Sequence, residues 1–108
     1  LKDLLAVRGG TLGPVEIETV VCAQDDRIAA AAAVPDARAG SNIIQIAIEL
    51  QTRVLDAAQK NQMVQLITHR LAEDFGVQSR CFFFAPRQLP RTTSGKIRRY
   101  AVRALLKP

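Results

Sequence analysis

Hydrophobic positions repeat at period two through the middle of the chain. Ile44, Ile46, Ile48 and Leu50 alternate with other residues, which predicts a strand over Asn42 to Leu50. The apolar run from Ile28 to Val34 is closed promptly by Pro35-Asp36, so it predicts a second, buried strand despite its alanines. A third strand, rich in phenylalanine, is predicted over Cys81 to Ala85.

Helical spacing appears on either side of these strands. Pro14 suits a first helical turn, and Ile17, Val20 and Val21 fall on one face of a helix predicted over Val15 to Cys22. Asp56 and Gln59 have the spacing of a capping box, which predicts a long helix to about Phe75 that Gly76 can end. Its buried stripe is predicted from a set of apolar residues at helical spacing: Val64, Ile67, Leu71 and Phe75.

The two ends of the chain complete the pattern. Leu4, Leu5 and Val7 predict a short strand that turns at Gly9-Gly10 and pairs back through Thr11-Leu12-Gly13. A terminal helix is predicted over Ile97 to Leu106, with Ser94 as its candidate cap. The order predicts an α+β fold: a small mixed three-stranded sheet flanked by helices, with a short N-terminal two-stranded ribbon, forming one domain over 1–108.

Composition supports a folded domain. The 108 residues are 48% hydrophobic and 23% charged, which argues against disorder. No apolar run is long enough to span a membrane, and no signal peptide is visible. Since Leu1 opens in what resembles mid-strand, we expect the sequence to be a piece of a longer protein. Cys22 and Cys81 have no metal-ligand spacing and are expected to be reduced and mostly buried, with a disulfide as the alternative. His69 is expected on a helix, either at its surface or half-buried.

Charge is distributed unevenly along the sequence. The residues up to Asp74 include seven bases and ten acids, whereas the residues after it include eight bases and no acid. A one-sided basic end favours an anionic partner. Nucleic acid is one candidate, although Tyr100 is the one aromatic residue interleaved with the bases from Arg87 onward, which is poor for stacking. A nucleotide, coenzyme A or an acidic carrier protein fits as well.

The segment Leu89 to Arg99 concentrates candidate chemistry in a short loop. Small hydroxyl residues and Gly95 precede Lys96, so a cation stands among neighbours that do not shield it, which suits a phosphate or a carboxylate. A P-loop is the rival interpretation, but it requires glycine at Pro90 and Ser or Thr at Ile97. The plain alternative is a solvated basic helix start.

The same segment resembles the C-terminal signature of the acyl-adenylate-forming ligases, which include acyl-CoA synthetases, fatty acyl-AMP ligases and adenylation domains. That signature reads Pro-Lys/Arg-Thr-x-Ser-Gly-Lys-Ile/Leu, usually followed by bases. Seven positions of this sequence match it: Pro90, Arg91, Thr92, Ser94, Gly95, Lys96 and Ile97.

A second resemblance covers Leu1 to Glu18. Lys2 falls on the family's hinge position, Gly9 on the glycine that ends a strand, and Glu16-Ile17-Glu18 on a closing Glu-Ile-Glu. Gly10-Thr11 depart from the polar residue and arginine that many members carry there. The strand Phe82-Phe83-Phe84 is similar to that of the fatty acyl-AMP ligases.

The resemblance implies the C-terminal subdomain of a cytoplasmic enzyme that joins a carboxylic acid to AMP and then passes the acyl group to a thiol. Lys96 would be the catalytic lysine, positioned by Thr92, Ser94 and Gly95, while Gly9 and Gly10 would contact the thiol arm. It implies ATP and Mg²⁺ as cofactors of the intact enzyme, with no metal held by this piece.

The implied partners are an N-terminal adenylation domain of the same protein and either coenzyme A or the phosphopantetheine of an acyl carrier protein. The resemblance implies no nucleic-acid partner and no membrane span, and the piece alone is expected to be inactive. Two alternatives stay open: a basic nucleic-acid-binding module and a stand-alone regulatory or interaction domain.

Overall fold

The computed structural model describes residues 5–7, 10–35 and 43–106, and the predicted α+β class is confirmed over them. Strands and helices follow one another in the predicted order. The elements are β1 Leu5–Val7, β2 Gly10–Leu12, α1 Pro14–Ala23, β3 Ile28–Pro35, β4 Ile43–Leu50, α2 Ala57–Phe75, β5 Gln78–Phe84 and α3 Arg99–Leu105. In this part of the chain, no helix is both long and apolar enough to cross a membrane.

The main sheet has the strand order β3-β4-β5, and β1 and β2 form a separate antiparallel ribbon. β3 runs antiparallel to β4, with Ala32 opposite Ala47. β5 runs parallel to β4, with Cys81 opposite Ile46. A parallel neighbour requires a crossover connection, and α2 supplies it, so the sheet is mixed as predicted. β4 is the central strand, held by a neighbour on each side.

One face of the sheet is covered by α1 and α2. We call the buried residues between them the helix-side cluster, and most are large aliphatic side chains. In α2, Ile67 and Leu71 are fully buried as predicted, but Met63 is the third buried residue, and Val64 and Phe75 are half-buried. The cluster comprises Ile17, Val21, Ile28, Ala31, Ala33, Ile44, Ile46, Ile48, Leu50, Met63, Ile67, Leu71 and Val77.

The opposite face is covered by α3 and the segment before it. Its buried residues, the loop-side cluster, are fewer and smaller: Ala32, Val34, Ala47, Leu89, Val102 and Leu106. Phe82, Phe84 and Ile97 pack against it while half-buried. Because β3 and β4 present the small side chains of Ala32, Val34 and Ala47 here, the covering segment can approach their backbone closely.

Local sequence signals fix both ends of α2. The Asp56 carboxylate accepts the Gln59 backbone N–H at 2.8 Å, and the Gln59 side chain accepts the Asp56 N–H at 3.1 Å, so the predicted capping box is complete. Gly76 follows the helix with φ of 68°, a left-handed conformation that favours glycine.

The last helix differs from the prediction. It begins at Arg99 instead of Ile97, and its N-cap residue, Arg98, makes no side-chain capping bond. Ser94 is not the cap, because its hydroxyl lies 3.0 Å from that of Thr92 in a separate turn. Ile97 is used in a strand-like bridge to Arg91, which delays the helix.

Candidate functional site

Residues 90–98 form a narrow loop, which we call the lysine hairpin. Arg91 and Ile97 face each other in an antiparallel bridge. The Thr92 N–H donates to the Lys96 carbonyl at 2.7 Å, and the Arg98 N–H donates to the Pro90 carbonyl at 2.9 Å. These bonds make the two arms of the hairpin one unit, so Lys96 stands on its returning arm and not at the start of a helix.

The tip of the hairpin is closed by residues that the sequence picked out. The Gly95 N–H donates to the Thr92 carbonyl at 2.9 Å, and the Lys96 N–H donates to the Thr92 hydroxyl at 3.2 Å. Gly95 has φ of 90°, which side-chain-bearing residues rarely adopt. Thr92, Ser94 and Gly95 therefore lie together in the turn that presents Lys96, and their functional role stays a prediction.

Lys96 itself is exposed at the end of this turn. With the residues that the structure describes, its ammonium group forms no hydrogen bond or ion pair. The neighbouring residues 92–95 are exposed as well, and each is small. A cation left in this way is available to an anion brought from outside the chain.

A buried carboxylate holds the base of the hairpin. Glu49, near the end of β4, is 2% exposed and accepts two hydrogen bonds from the Arg91 guanidinium, at 2.9 and 2.6 Å. It also accepts the Leu89 N–H at 3.0 Å. The hydrogen bonds from Arg91 are the main reason that the pKa of Glu49 lies below its usual range, and they raise the pKa of Arg91. Sequence reasoning missed this pair, since 42 residues separate its members.

Arg87 shows how closely the chain wraps around that carboxylate. Its φ of 64° makes it the one described residue other than glycine with a left-handed backbone. Its backbone N–H contributes to lowering the pKa of Glu49. A strained backbone conformation persists where neighbouring groups hold it, and here the buried Glu49 carboxylate holds the Arg87 backbone N–H.

A second ion pair holds the other end of the hairpin. Glu18 on α1 accepts two hydrogen bonds from Arg99, the first residue of α3, both at 2.7 Å. The same carboxylate accepts the Ala33 N–H of β3 at 2.8 Å. Glu18 belongs to Glu16-Ile17-Glu18, so the two sequence landmarks predicted far apart in the chain are joined by a direct contact.

These pairs change the interpretation of the basic end. Arg91 and Arg99, two of its eight bases, are bound to internal carboxylates and do not extend a basic surface outward. Arg80, Arg87, Lys96 and Arg98 are exposed. Among the described residues, no group of three or more His, Cys, Asp or Glu side chains is arranged to hold a metal ion.

Other candidate residues lie away from the hairpin. Lys2 and Gly9, the predicted hinge and thiol-arm residues, are outside the described residues, and Gly10 opens β2 opposite Val7. Cys22 and Cys81 are free, half-buried thiols against the helix-side cluster. Burial raises the pKa of both, that of Cys81 to about 11, so neither is an activated nucleophile.

His69 lies on α2, three-quarters exposed, and contacts Glu73 one turn later. It has the surface position predicted for it.

Proteins similar to this chain are found among solved structures. No protein-family model and no curated protein sequence matches the chain. A fatty acyl-adenylate ligase, one of the enzymes of this kind from E. coli and L. pneumophila, superposes with a TM-score of 0.73 and 27% identity, over 97% of this chain and 18% of its own.

Two further structures agree. The adenylation part of a keto acid-selecting nonribosomal peptide synthetase module gives a TM-score of 0.82 at 20% identity, over 97% of this chain and 9% of its own. An anthranilate CoA ligase in complex with anthranoyl-AMP gives 0.72 at 24%, over 96% of this chain and 19% of its own. The chain thus spans less than a fifth of each. The predicted resemblance to acyl-adenylate-forming ligases is confirmed, and the match is consistent with their C-terminal subdomain.

Proposed function

We propose that this chain is the mobile C-terminal subdomain of an ATP-dependent ligase, and that Lys96 is its adenylation lysine. The observation that carries the proposal is the presentation of Lys96: an exposed ammonium group at the end of a hydrogen-bonded turn, without an acidic partner among the described residues. The structural likeness to adenylating ligases supplies the reaction class.

In this proposal Lys96 acts while the acyl-adenylate forms. A carboxylate oxygen of the substrate bonds to the α-phosphorus of ATP, and the bond to pyrophosphate breaks. Both reacting groups are anions that repel each other, so a cation that contacts both aligns them and stabilises the charge that develops at phosphorus. A lysine provides this as a compact point charge on a long stem.

The second half-reaction requires a different face. A thiol of coenzyme A or of a carrier protein's phosphopantetheine attacks the adenylate carbonyl and releases AMP. We propose that the subdomain turns about Lys2, so that Lys96 leaves and Gly9 and Gly10 enter. Glycine there leaves room for a thin thiol arm beside the backbone.

The finer features of the proposal have narrower support. A fatty acid as substrate is supported by the fatty acyl-adenylate ligase among the similar structures and by the strand Phe82-Phe83-Phe84. No step proposed here assigns a metal ligand to the described residues. The basic nucleic-acid module is disfavoured because Arg91 and Arg99 are used internally.

Lys96→Ala in the full-length enzyme tests the proposal. We expect acyl-adenylate formation, measured by pyrophosphate release, to fall by about a hundredfold or more, the scale for loss of one aimed charge-stabilising group. Thioester formation from chemically prepared acyl-adenylate should change little, because Lys96 has left the site by then.

Arg80→Ala is the matched control, since it removes an equally exposed positive charge from β5. It should leave both half-reactions unchanged. Equal loss of the two half-reactions in Lys96→Ala, or an adenylation rate like that of wild type, would contradict the assigned role.

A further inference from the structure

We propose that Glu49 and Arg91 are positioning residues that aim Lys96 by fixing the base of the lysine hairpin. The proposal rests on the proposed function of Lys96 and adds a way in which the fold controls it. Glu49 is buried, and the Arg91 guanidinium is turned onto it, so the two charges are paired with each other and neither is proposed to contact the substrate.

The first step is the rigidity of the anchor. Glu49 is the one charged residue among the described positions that is fully buried. It lies on β4, paired with Ala30 of β3 on one side and Phe84 of β5 on the other. A carboxylate on the central strand of a sheet has little freedom to move, so Glu49 is held as rigidly as the core residues around it.

The second step is the connection from the anchor to the lysine. The two guanidinium nitrogens of Arg91 bind separate oxygens of Glu49, which fixes the orientation of the fork as well as its distance. Arg91 is also the residue that bridges Ile97, the immediate neighbour of Lys96. The fixed orientation is therefore passed to Lys96 through the bridge and the backbone bond from Thr92 to Lys96.

The third step is that apolar packing cannot replace this anchor. Residues 92–96 are all exposed. Within residues 89–97, the side chains that pack in the loop-side cluster are Leu89 and the half-buried Ile97. Small side chains in solvent give a turn its shape but do not fix its direction. The Glu49–Arg91 pair, together with the bond from the Leu89 N–H to Glu49, ties the arm carrying Arg91 to the sheet.

The experiment replaces Glu49 by glutamine in the full-length enzyme. Glu49→Gln keeps the shape and loses the charge that orients the guanidinium. We expect kcat for adenylation to fall by about tenfold to a hundredfold, the scale of a displacement near 1 Å. The KM for ATP should stay within about twofold, and thioester formation from prepared adenylate should stay near wild type.

Arg91→Lys separates fork geometry from charge. It keeps a positive charge beside Glu49 but cannot make the two-point contact, so it should lie between wild type and Glu49→Gln. Asp25→Asn is the matched control. It breaks another two-point ion pair, with Arg27 at 2.9 and 2.7 Å, in the turn before β3. Among the described residues, this pair makes no hydrogen bond or ion pair with the hairpin.

The outcomes separate the two proposals. Loss confined to adenylation in Glu49→Gln, with Asp25→Asn unaffected, supports positioning. Adenylation within twofold of wild type in Glu49→Gln, while Lys96→Ala is strongly impaired, overturns positioning and leaves the proposed function intact. If Glu49→Gln loses both half-reactions equally at a temperature below its melting temperature, the pair has a structural role only, and the positioning proposal is overturned. An unimpaired Lys96→Ala overturns the proposed function itself.

Discussion

The two faces of the sheet are stabilised by different means. The helix-side cluster is made of large aliphatic side chains beneath α2, a helix of 19 residues. The loop-side cluster has fewer buried residues, lies beneath α3, a helix of 7 residues, and is supplemented by the ion pairs Glu49–Arg91 and Glu18–Arg99. Hydrophobic burial is the main contact on the first face, whereas the second combines a smaller apolar cluster with directional polar contacts.

The difference separates the contacts that stabilise the domain from the contacts that orient Lys96. Hydrophobic contact is strong in sum but does not fix direction, whereas a two-point ion pair orients the groups that it joins. The lysine hairpin lies on the face with the directional contacts. Substitutions on the helix side should therefore unfold the domain, and substitutions on the loop side should misplace Lys96 in a folded domain.

The largest effect on stability is expected for Ile67→Ala, in the helix-side cluster. Ile67 is fully buried, and its truncation should lower the free energy of unfolding by about 2–5 kcal/mol. Val102→Ala in the loop-side cluster removes two side-chain carbons where Ile67→Ala removes three, and should cost roughly two thirds as much, at about 0.8 kcal/mol per buried carbon plus a cavity contribution. Urea denaturation of both variants measures the two costs, and equal costs would contradict the division between faces.

An intermediate effect is expected at the two described glycines with positive φ, one on each side. Gly76→Ala and Gly95→Ala each strain a backbone with φ of 68° and 90°, which costs about 1–3 kcal/mol. Gly76→Ala should lower the stability of the whole domain, because it ends α2.

Gly95→Ala should act differently, because an added Cβ meets no atom within 4 Å and the hairpin can relax into solvent. Adenylation by the full-length enzyme should fall while the melting temperature changes little. If Gly95→Ala lowered the melting temperature and left adenylation unchanged, the expected contrast with Gly76→Ala would be wrong.

The smallest effect is expected from acid. Because Arg91 holds the pKa of Glu49 below its usual range, Glu49 stabilises the folded state at neutral pH. That contribution is complete above the ordinary glutamate pKa of about 4.3 and is lost as the pH falls through the lower folded value.

The free energy of unfolding, measured in urea from pH 6 to pH 3, should therefore fall less steeply in Glu49→Gln than in wild type. Asp25, whose pKa Arg27 also lowers, contributes to the slope in both proteins and cancels in the comparison. Identical slopes would show that the pair adds nothing to stability near pH 4.

Sequence reasoning succeeded where the signal is local. The capping box of Asp56 and Gln59, the stop at Gly76 and the turn around Gly95 depend on residues within a few positions of one another. It failed at Glu49. The position of Glu49 between Ile48 and Leu50 predicts a side chain on the face opposite theirs, exposed to solvent. The segment Leu89 to Arg91, distant in sequence, covers that face and buries the carboxylate.

The start of α3 could not be predicted for a related reason. Ser94 followed by Gly95 and Lys96 has the composition of a helix N-terminus, but the bridge between Arg91 and Ile97 takes those residues into a hairpin. Which of two local structures wins is decided by contacts with the sheet. The fold class was readable from periodicity, whereas the contacts that orient Lys96 were not.

Glu18 has a consequence for solubility. β3 lies at the edge of its sheet and is an alanine-rich, nearly uncharged strand, a kind of segment that invites a strand of another molecule to pair with it. The Glu18 carboxylate accepts the Ala33 N–H, one of the donors that such a strand would use. The side chain that ties α1 to Arg99 therefore also discourages self-association through this edge.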